Sequence, residues 1–202
     1  MKRHLLALVG SLALGLCAWE ARAATFSNDT LIASGNSAYD GQDIVVSNCT
    51  LTVNGPHSFN SLRLTNSAVL THSPAPNGEA DRQLNLTVAQ NVTVDISSRI
   101  DATSRGYAAA SGAGAGTSSA QWSGSGAGHG GFGGASSAGA SGGGVYDSIL
   151  VPAQPGSGGG NGYLSGGGLG GGVVRLVVGG TLRLDGTVLA EGGPGLYNNF
   201  AG

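Results

Sequence analysis

Few side chains in this sequence are equipped for chemistry, and they are scattered. His129, in Gly128-His129-Gly130, is the first to weigh, although in a segment so rich in glycine a histidine flanked by glycines is expected by chance. Hydrolysis of a glycosidic bond would need two carboxyl groups beside it, one to protonate the leaving oxygen and one to activate water or attack. The acids that stand out by pattern are Asp95 and Asp101, six apart around a corner, and Asp185, which repeats Asp95. A hard cation would ask six or more oxygens of such a group. A recurrent Asp at a strand end more commonly caps the turn by accepting backbone N–H groups, and that is the reading adopted. His57, His72 and His129 are too dispersed to suggest a zinc site, and no Cys-x-x-Cys assists them. Gly128-x-Gly130-x-x-Gly133 spells a dinucleotide fingerprint, but no strand leads into it and no helix follows. A P-loop is excluded because the sole lysine is Lys2. Cys49, inside SNCTLTV, reads as a small buried side chain rather than a nucleophile. Asn28, Asn48, Asn85 and Asn91 begin Asn-x-Ser/Thr sequons that a chain rich in Asn and Thr contains incidentally. No catalytic, cofactor-binding or metal-ligating residue is assigned, and the expectation is a protein that is not an enzyme.

The segment that comes first in the chain is an address rather than a structure. Lys2, Arg3 and His4 form a basic head, Leu5 to Leu16 an apolar run, and Ala21-Arg22-Ala23 a small-x-small cleavage site, so residues 1–23 read as a signal peptide. The run is shorter than the roughly 20 residues that span a bilayer. A lipid anchor on Cys17 is disfavoured by Leu16, since the residue before a lipidated cysteine should be small. No later segment is apolar enough to cross a membrane, which implies a secreted or cell-surface product. After cleavage six arginines face ten acids, a net charge of −4, and nucleic acid, which requires clustered cations, is excluded as a partner. One cysteine, Cys49, remains, so no internal disulfide can hold the fold.

The elements that would position any site are short strands. Leu84 to Gly106, LNLTVAQNVTVDISSRIDATSRG, is restated from Val174 as VRLVVGGTLRLDGTVLAEG. Leu84, Leu86, Val88, Val92 and Val94 have apolar counterparts 90 residues later in Val174, Leu176, Val178, Leu182 and Leu184. After a two-residue deletion, Ile100 and Ala102 match Val188 and Ala190. Alternating apolar residues place one strand face in a core, and a repeated set of such strands predicts stacked β-structure. Upstream, Ile44–Val46, Thr50–Val53, Ser61–Thr65 and Ala68–Thr71 read as strands separated by Ser47-Asn48, Asn54-Gly55-Pro56 and Asn66-Ser67 turns. Residues 24–43 read as a polar lead-in and 73–83 as a loop, and no helical stripe appears after the signal peptide.

Between the two copies lie 26 glycines in the 67 residues from Gly106 to Gly172. Composition alone would suggest a linker. Against that stand five aromatics, Tyr107, Trp122, Phe132, Tyr146 and Tyr163, a single charge at Asp147, and a glycine block that runs directly into the strand from Val173. An ordered insertion folded against the stack is expected. A collagen reading fails because no Gly-X-Y period is kept. The sequence stops in a second glycine-rich stretch without the capping repeat that stacked repeats use, which reads as a fragment or a piece needing partner contacts.

The phrases DIVVSNCTLTVNGPHSFNSLRLTNSAVLTH and LTVAQNVTVD, followed by the glycine-rich insert and GGGVVRLVVGGTLRLDGTVLAEG, resemble large secreted bacterial repeat proteins with pectin-lyase-like or adhesin-passenger-like modules. The resemblance implies an all-β fold, a right-handed parallel β-helix with a long glycine-rich loop insertion. The expected divisions are the signal peptide (1–23), N-terminal coils (24–105), the insertion (106–172) and a continuing coil (173–202). It also implies a structural or adhesive role, with extracellular glycans or neighbouring β-helix repeats as partners and no cofactor. A fragment of a polysaccharide lyase or glycoside hydrolase is the alternative. Polygalacturonases on this fold use Gly-His-Gly, but the Asp-Asp pair, the Asn-Thr-Asp order and the basic motif that accompany it are absent here.

Overall fold

The computed structural model describes residues 22–137 and 139–196. Most of the signal-peptide reading, residues 1–21, therefore lies outside the described residues, as does the chain from Tyr197. Among the described residues thirteen strands form three parallel sheets. In chain order they are β1 (Ala23–Phe26), β2 (Thr30–Ile32), β3 (Asp43–Ser47), β4 (Thr50–Val53), β5 (Gly55–Phe59), β6 (Ser61–Thr65), β7 (Val69–Thr71), β8 (Leu84–Val88), β9 (Val92–Val94), β10 (Arg99–Asp101), β11 (Val174–Val178), β12 (Leu182–Leu184) and β13 (Thr187–Leu189). One sheet runs β1-β3-β6-β9-β12, a second β2-β4-β7-β10-β13 and a third β5-β8-β11. From β3 onward the chain visits the three sheets in rotation, so each circuit adds one strand to every sheet. The only helical element among the described residues is a 3-10 turn at Ser37–Tyr39.

The duplicated phrase stacks on itself. Leu84, Leu86 and Val88 pair with Val174, Leu176 and Val178, Val92 and Val94 with Leu182 and Leu184, and Ile100 with Val188. Period-2 alternation enforces this alignment, because a slip of one residue would turn every inward side chain to solvent. The inward columns, such as Ile44–Leu62–Val92 and Leu51–Leu70–Ile100, build a single core of aliphatic residues between the sheets.

Three strands exceed the sequence reading. β1 and β2 lie within what reads as a lead-in, and β1 begins at Ala23, across the expected cleavage boundary. β5 runs through Gly55-Pro56, which reads as a turn. It is tolerated because β5 is the edge of its sheet, where the missing proline N–H breaks no ladder bond. Corners use left-handed backbone at Asn48 and Asn66, both with φ of 55°, a conformation that asparagine accepts more readily than most residues.

Residues 106–172 form no named strand, yet they are tightly ordered by backbone hydrogen bonds. Gly156, Gly159 and Gly162 donate to Gly171, Gly168 and Ser165 in antiparallel order, and Gly133 and Ser136 donate to Gly143 and Ala140. Gly143 and Tyr146 donate to Gly126 and His129 in parallel order. In each set the partners advance by three residues. A β ladder advances by two; a step of three is that of extended chains of polyproline-II type. The three-residue regularity thus exists in the hydrogen bonding although the sequence keeps no Gly-X-Y period. The chain from Gly193 to Leu196 joins the same body through Gly193 N–H to Leu169 and Leu196 N–H to Gly166.

Candidate functional site

A cavity of about 540 Å3 opens where the glycine body meets the last coil. Its polar lining is His129, Gln154 and Ser157; Val173, Val174 and Val188 supply an apolar wall. His129 is therefore brought to a cavity. Its partners are structural, however. Nε2 lies 3.1 Å from the Gln154 carbonyl and 3.7 Å from an Asp147 carboxylate oxygen, and the ring meets Tyr146 edge-on at 4.6 Å. Asp147 in turn accepts the backbone N–H groups of Gln154, Ala153 and Ser148, which hold its carboxyl below the usual range. The Tyr146 hydroxyl donates to the Pro155 carbonyl at 2.6 Å, and Ser157 Oγ accepts from Gly114 N–H. His129 and Asp147 together clasp a loop. No lining residue carries a carboxyl group, so the paired acids that glycosidic cleavage requires do not face this cavity.

The other flagged groups separate. His57 bonds Asp40 and the Asn54 carbonyl and stacks on Phe59. Among the described residues no three His, Cys, Asp or Glu side chains converge as a metal group would require. Cys49 is buried beneath its strand, and burial raises its thiol pKa. Asp95 caps a corner: its carboxylate accepts the N–H of Asn66 from the coil below and both the N–H and hydroxyl of Ser97. With the Ser98 hydroxyl foremost, these donors hold its pKa far below the usual carboxylate value. Asp185, the repeat of Asp95, departs from the turn-cap reading and pairs with Arg183 at 2.7 Å. The two-residue deletion in the second copy leaves only Asp185 and Gly186 opposite residues 95–98, so Asp185 has no counterparts of the Ser97 and Ser98 groups that serve Asp95. Asp101 likewise binds Arg99 and the N–H of Thr103.

Sequence reasoning gave His72 no special place, since nothing in its neighbourhood signals a long-range contact. It is fully buried, donates through Nδ1 to the Ser73 carbonyl at 2.8 Å, and accepts the Val173 N–H at Nε2, 101 residues away. It thereby anchors the point where the glycine body returns to the stack. Burial, followed by the nearby Arg105 charge, lowers its pKa despite the Ser73 contact. A folded-state pKa below the unfolded value of about 6.5 makes stability complete above that value and diminishing as pH falls from it toward the folded pKa. His72→Gln, which can keep both contacts without titrating, is expected to be less stable at pH 7.5 but to lose less on acidification to pH 5.5. Thermal melts of both proteins at the two pH values check this.

The five aromatics divide by environment. Tyr107 packs against the backbones of Gly78 and Gly112, and Tyr146 is held as described. Trp122, Phe132 and Tyr163 are 68%, 84% and 60% exposed. The loops of Trp122 and Tyr163 meet at their backbones, where the Tyr163 N–H donates to the Trp122 carbonyl at 2.7 Å. Ser119 and Asn161 join the same two loops, and Ser118 accepts from Asn161 N–H. Comparison with family models, curated proteins and solved structures found no match. The chemistry of the site therefore rests on these residues alone. Two large rings on a hydrogen-bonded glycine frame offer apolar faces and polar edges to a ligand in solution. No helix among the described residues is long and apolar enough to cross a membrane.

Proposed function

We propose that the chain is a non-catalytic, adhesive module of an exported protein, built as a right-handed parallel β-helix that carries the glycine body as its display surface. Rotation of the chain through three parallel sheets supports the solenoid reading. The leader-like residues 1–23 support export, to the cell surface or beyond. The observation that carries the adhesive reading is the exposure of Trp122 and Tyr163 on two loops whose backbones are bonded to each other on the glycine-rich body. Leaving two large rings in water while their loops are rigid favours a partner that stacks on them, and rigid aromatic anchors lose little entropy on binding. Extracellular glycans fit: sugar rings present apolar faces to aromatics and hydroxyls to nearby Ser and Asn groups such as Ser118, Ser119 and Asn161.

A glycan array probed with the purified chain tests the proposal. Binding to a subset of glycans is expected, and Trp122→Ala should weaken it about 30-fold, the consequence of losing a contact of about 2 kcal/mol. The melting temperature should be unchanged, because the ring is solvent-exposed. Absence of binding to every glycan, or binding indifferent to Trp122→Ala and Tyr163→Ala, contradicts the adhesive reading.

A further inference from the structure

The loops that carry Trp122 and Tyr163 hold no charge. Between Gly106 and Gly172 the sequence has one charged residue, Asp147. Its carboxylate is committed to the N–H groups of Ser148, Ala153 and Gln154, and its side chain is 9% exposed. The polar groups on the two loops are neutral instead, and what they have left to offer is hydrogen-bond donors. Ser118 Oγ accepts the Asn161 N–H at 3.0 Å, and Ser119 Oγ accepts the Trp122 N–H at 3.3 Å. The proton of each hydroxyl has no acceptor among the described residues. Asn161 Oδ1 accepts the Gly167 N–H at 2.9 Å, which fixes the amide and leaves Nδ2, too, without an acceptor among them. Three neutral donors therefore share two loops with two exposed aromatic rings, and no ionised group of either sign lies on those loops.

We infer that the ligand of this surface is a neutral glycan, built of uncharged hexopyranose rings; the inference rests on the adhesive reading above and narrows it. Ionised glycans of either sign are disfavoured by the chemistry of the loops. A carboxylate or sulfate drawn against aromatic rings gives up water, and protein sites offset that loss with guanidinium or ammonium partners. Neither loop has an arginine or a lysine. A free amino sugar would need a carboxylate, and Asp147 is already committed. A neutral hexose matches each group that is present. Its C–H face lies on an aromatic ring, and its ring and hydroxyl oxygens accept from Ser118, Ser119 and Asn161. Hydrogen bonds between uncharged groups are about half as strong as charge-assisted ones, so the rings supply the affinity and the three donors the selectivity. No ion pair and no group that titrates near neutral pH takes part, so binding is insensitive to salt.

Isothermal titration of the purified chain with soluble β-glucan, mannan and galactan, beside polygalacturonate and a sulfated galactan, tests the inference. Binding to at least one neutral polymer is expected, with an affinity that changes less than about twofold between about 50 and about 500 mM NaCl, and neither acidic polymer should bind. Asn161→Asp keeps an oxygen for the Gly167 N–H but exchanges the Nδ2 donor for an acceptor. It should weaken neutral binding at least about fivefold, the loss of one neutral hydrogen bond, with an unchanged melting temperature. Should that variant fail to fold, the salt series on the unaltered chain still decides. Binding confined to the acidic polymers, or falling steeply with salt, overturns the inference and leaves the adhesive reading standing. Neutral binding indifferent to a folded Asn161→Asp chain overturns it as well. Silence on all five polymers removes the adhesive reading and this inference with it.

Discussion

Gly170→Ala is expected to destabilise the protein by about 2–3 kcal/mol, while Gly131→Ala is expected to stabilise it slightly. The opposite signs follow from what a methyl group meets. A Cβ on Gly170 would fall on the carbonyl oxygen of Gly156, with the backbone of Ser157 close behind. Neither can move aside, because Gly156 N–H bonds Gly171 and Gly170 N–H bonds Tyr107, both at 2.9 Å. Overpacking against backbone costs about 3 kcal/mol, and the loss of unfolded-chain entropy returns only about 0.4–1 kcal/mol. At Gly131 nothing lies within 4 Å of the added carbon and φ is not positive, so only the entropic gain of about 0.4–1 kcal/mol remains. Urea denaturation of the two variants beside the parent measures both differences.

Leu64→Ala should cost about 3–4 kcal/mol, and Leu184→Ala less than about 1 kcal/mol. Both residues belong to one inward column, Phe26–Val46–Leu64–Val94–Leu184. Leu64 lies between Val46 and Val94 and is wholly buried, so its removal leaves a cavity that close-packed neighbours cannot fill. Leu184 is 43% exposed, so water fills the space its truncation leaves. Chemical denaturation of the two variants beside the parent measures both losses. Equal costs at the two positions would contradict this difference in burial.

The parts of this architecture that could be read in the sequence are those set by a residue's own alternation. Leu84 predicts Val174 above it because stacked strands repeat the same two-residue pattern, and any other pairing would expose the core. β5 escaped because Gly55-Pro56 normally ends a strand, and its edge position, which removes the objection, is a property of the whole sheet. An ordered insertion was legible, but the three-residue step of its hydrogen bonding was not. Many glycines there are required where a separate chain segment crosses them, as Gly106 is by Gly156, Gly170 and Gly171, while others, such as Gly131, meet nothing. Such crossings need no regular spacing along one segment, so their three-residue step is invisible in composition. The same holds for contacts that bridge the body: Asp147 reaching His129 and Tyr163 joining Trp122 are set by how the segments pack. His72 bonding Val173 is the extreme case, since neither residue's local sequence refers to the other.

The glycine segment is held by backbone hydrogen bonds between its own strands of chain, and that network joins the loops of Trp122 and Tyr163. Amide hydrogen exchange resolved at single residues is expected to be slow at the N–H groups of Gly126, Gly133, Gly143, Gly156, Gly159 and Gly170, approaching that of the core strands. Exchange of these six amides at the rate of an unstructured peptide, while β8 and β9 stay protected, would contradict it.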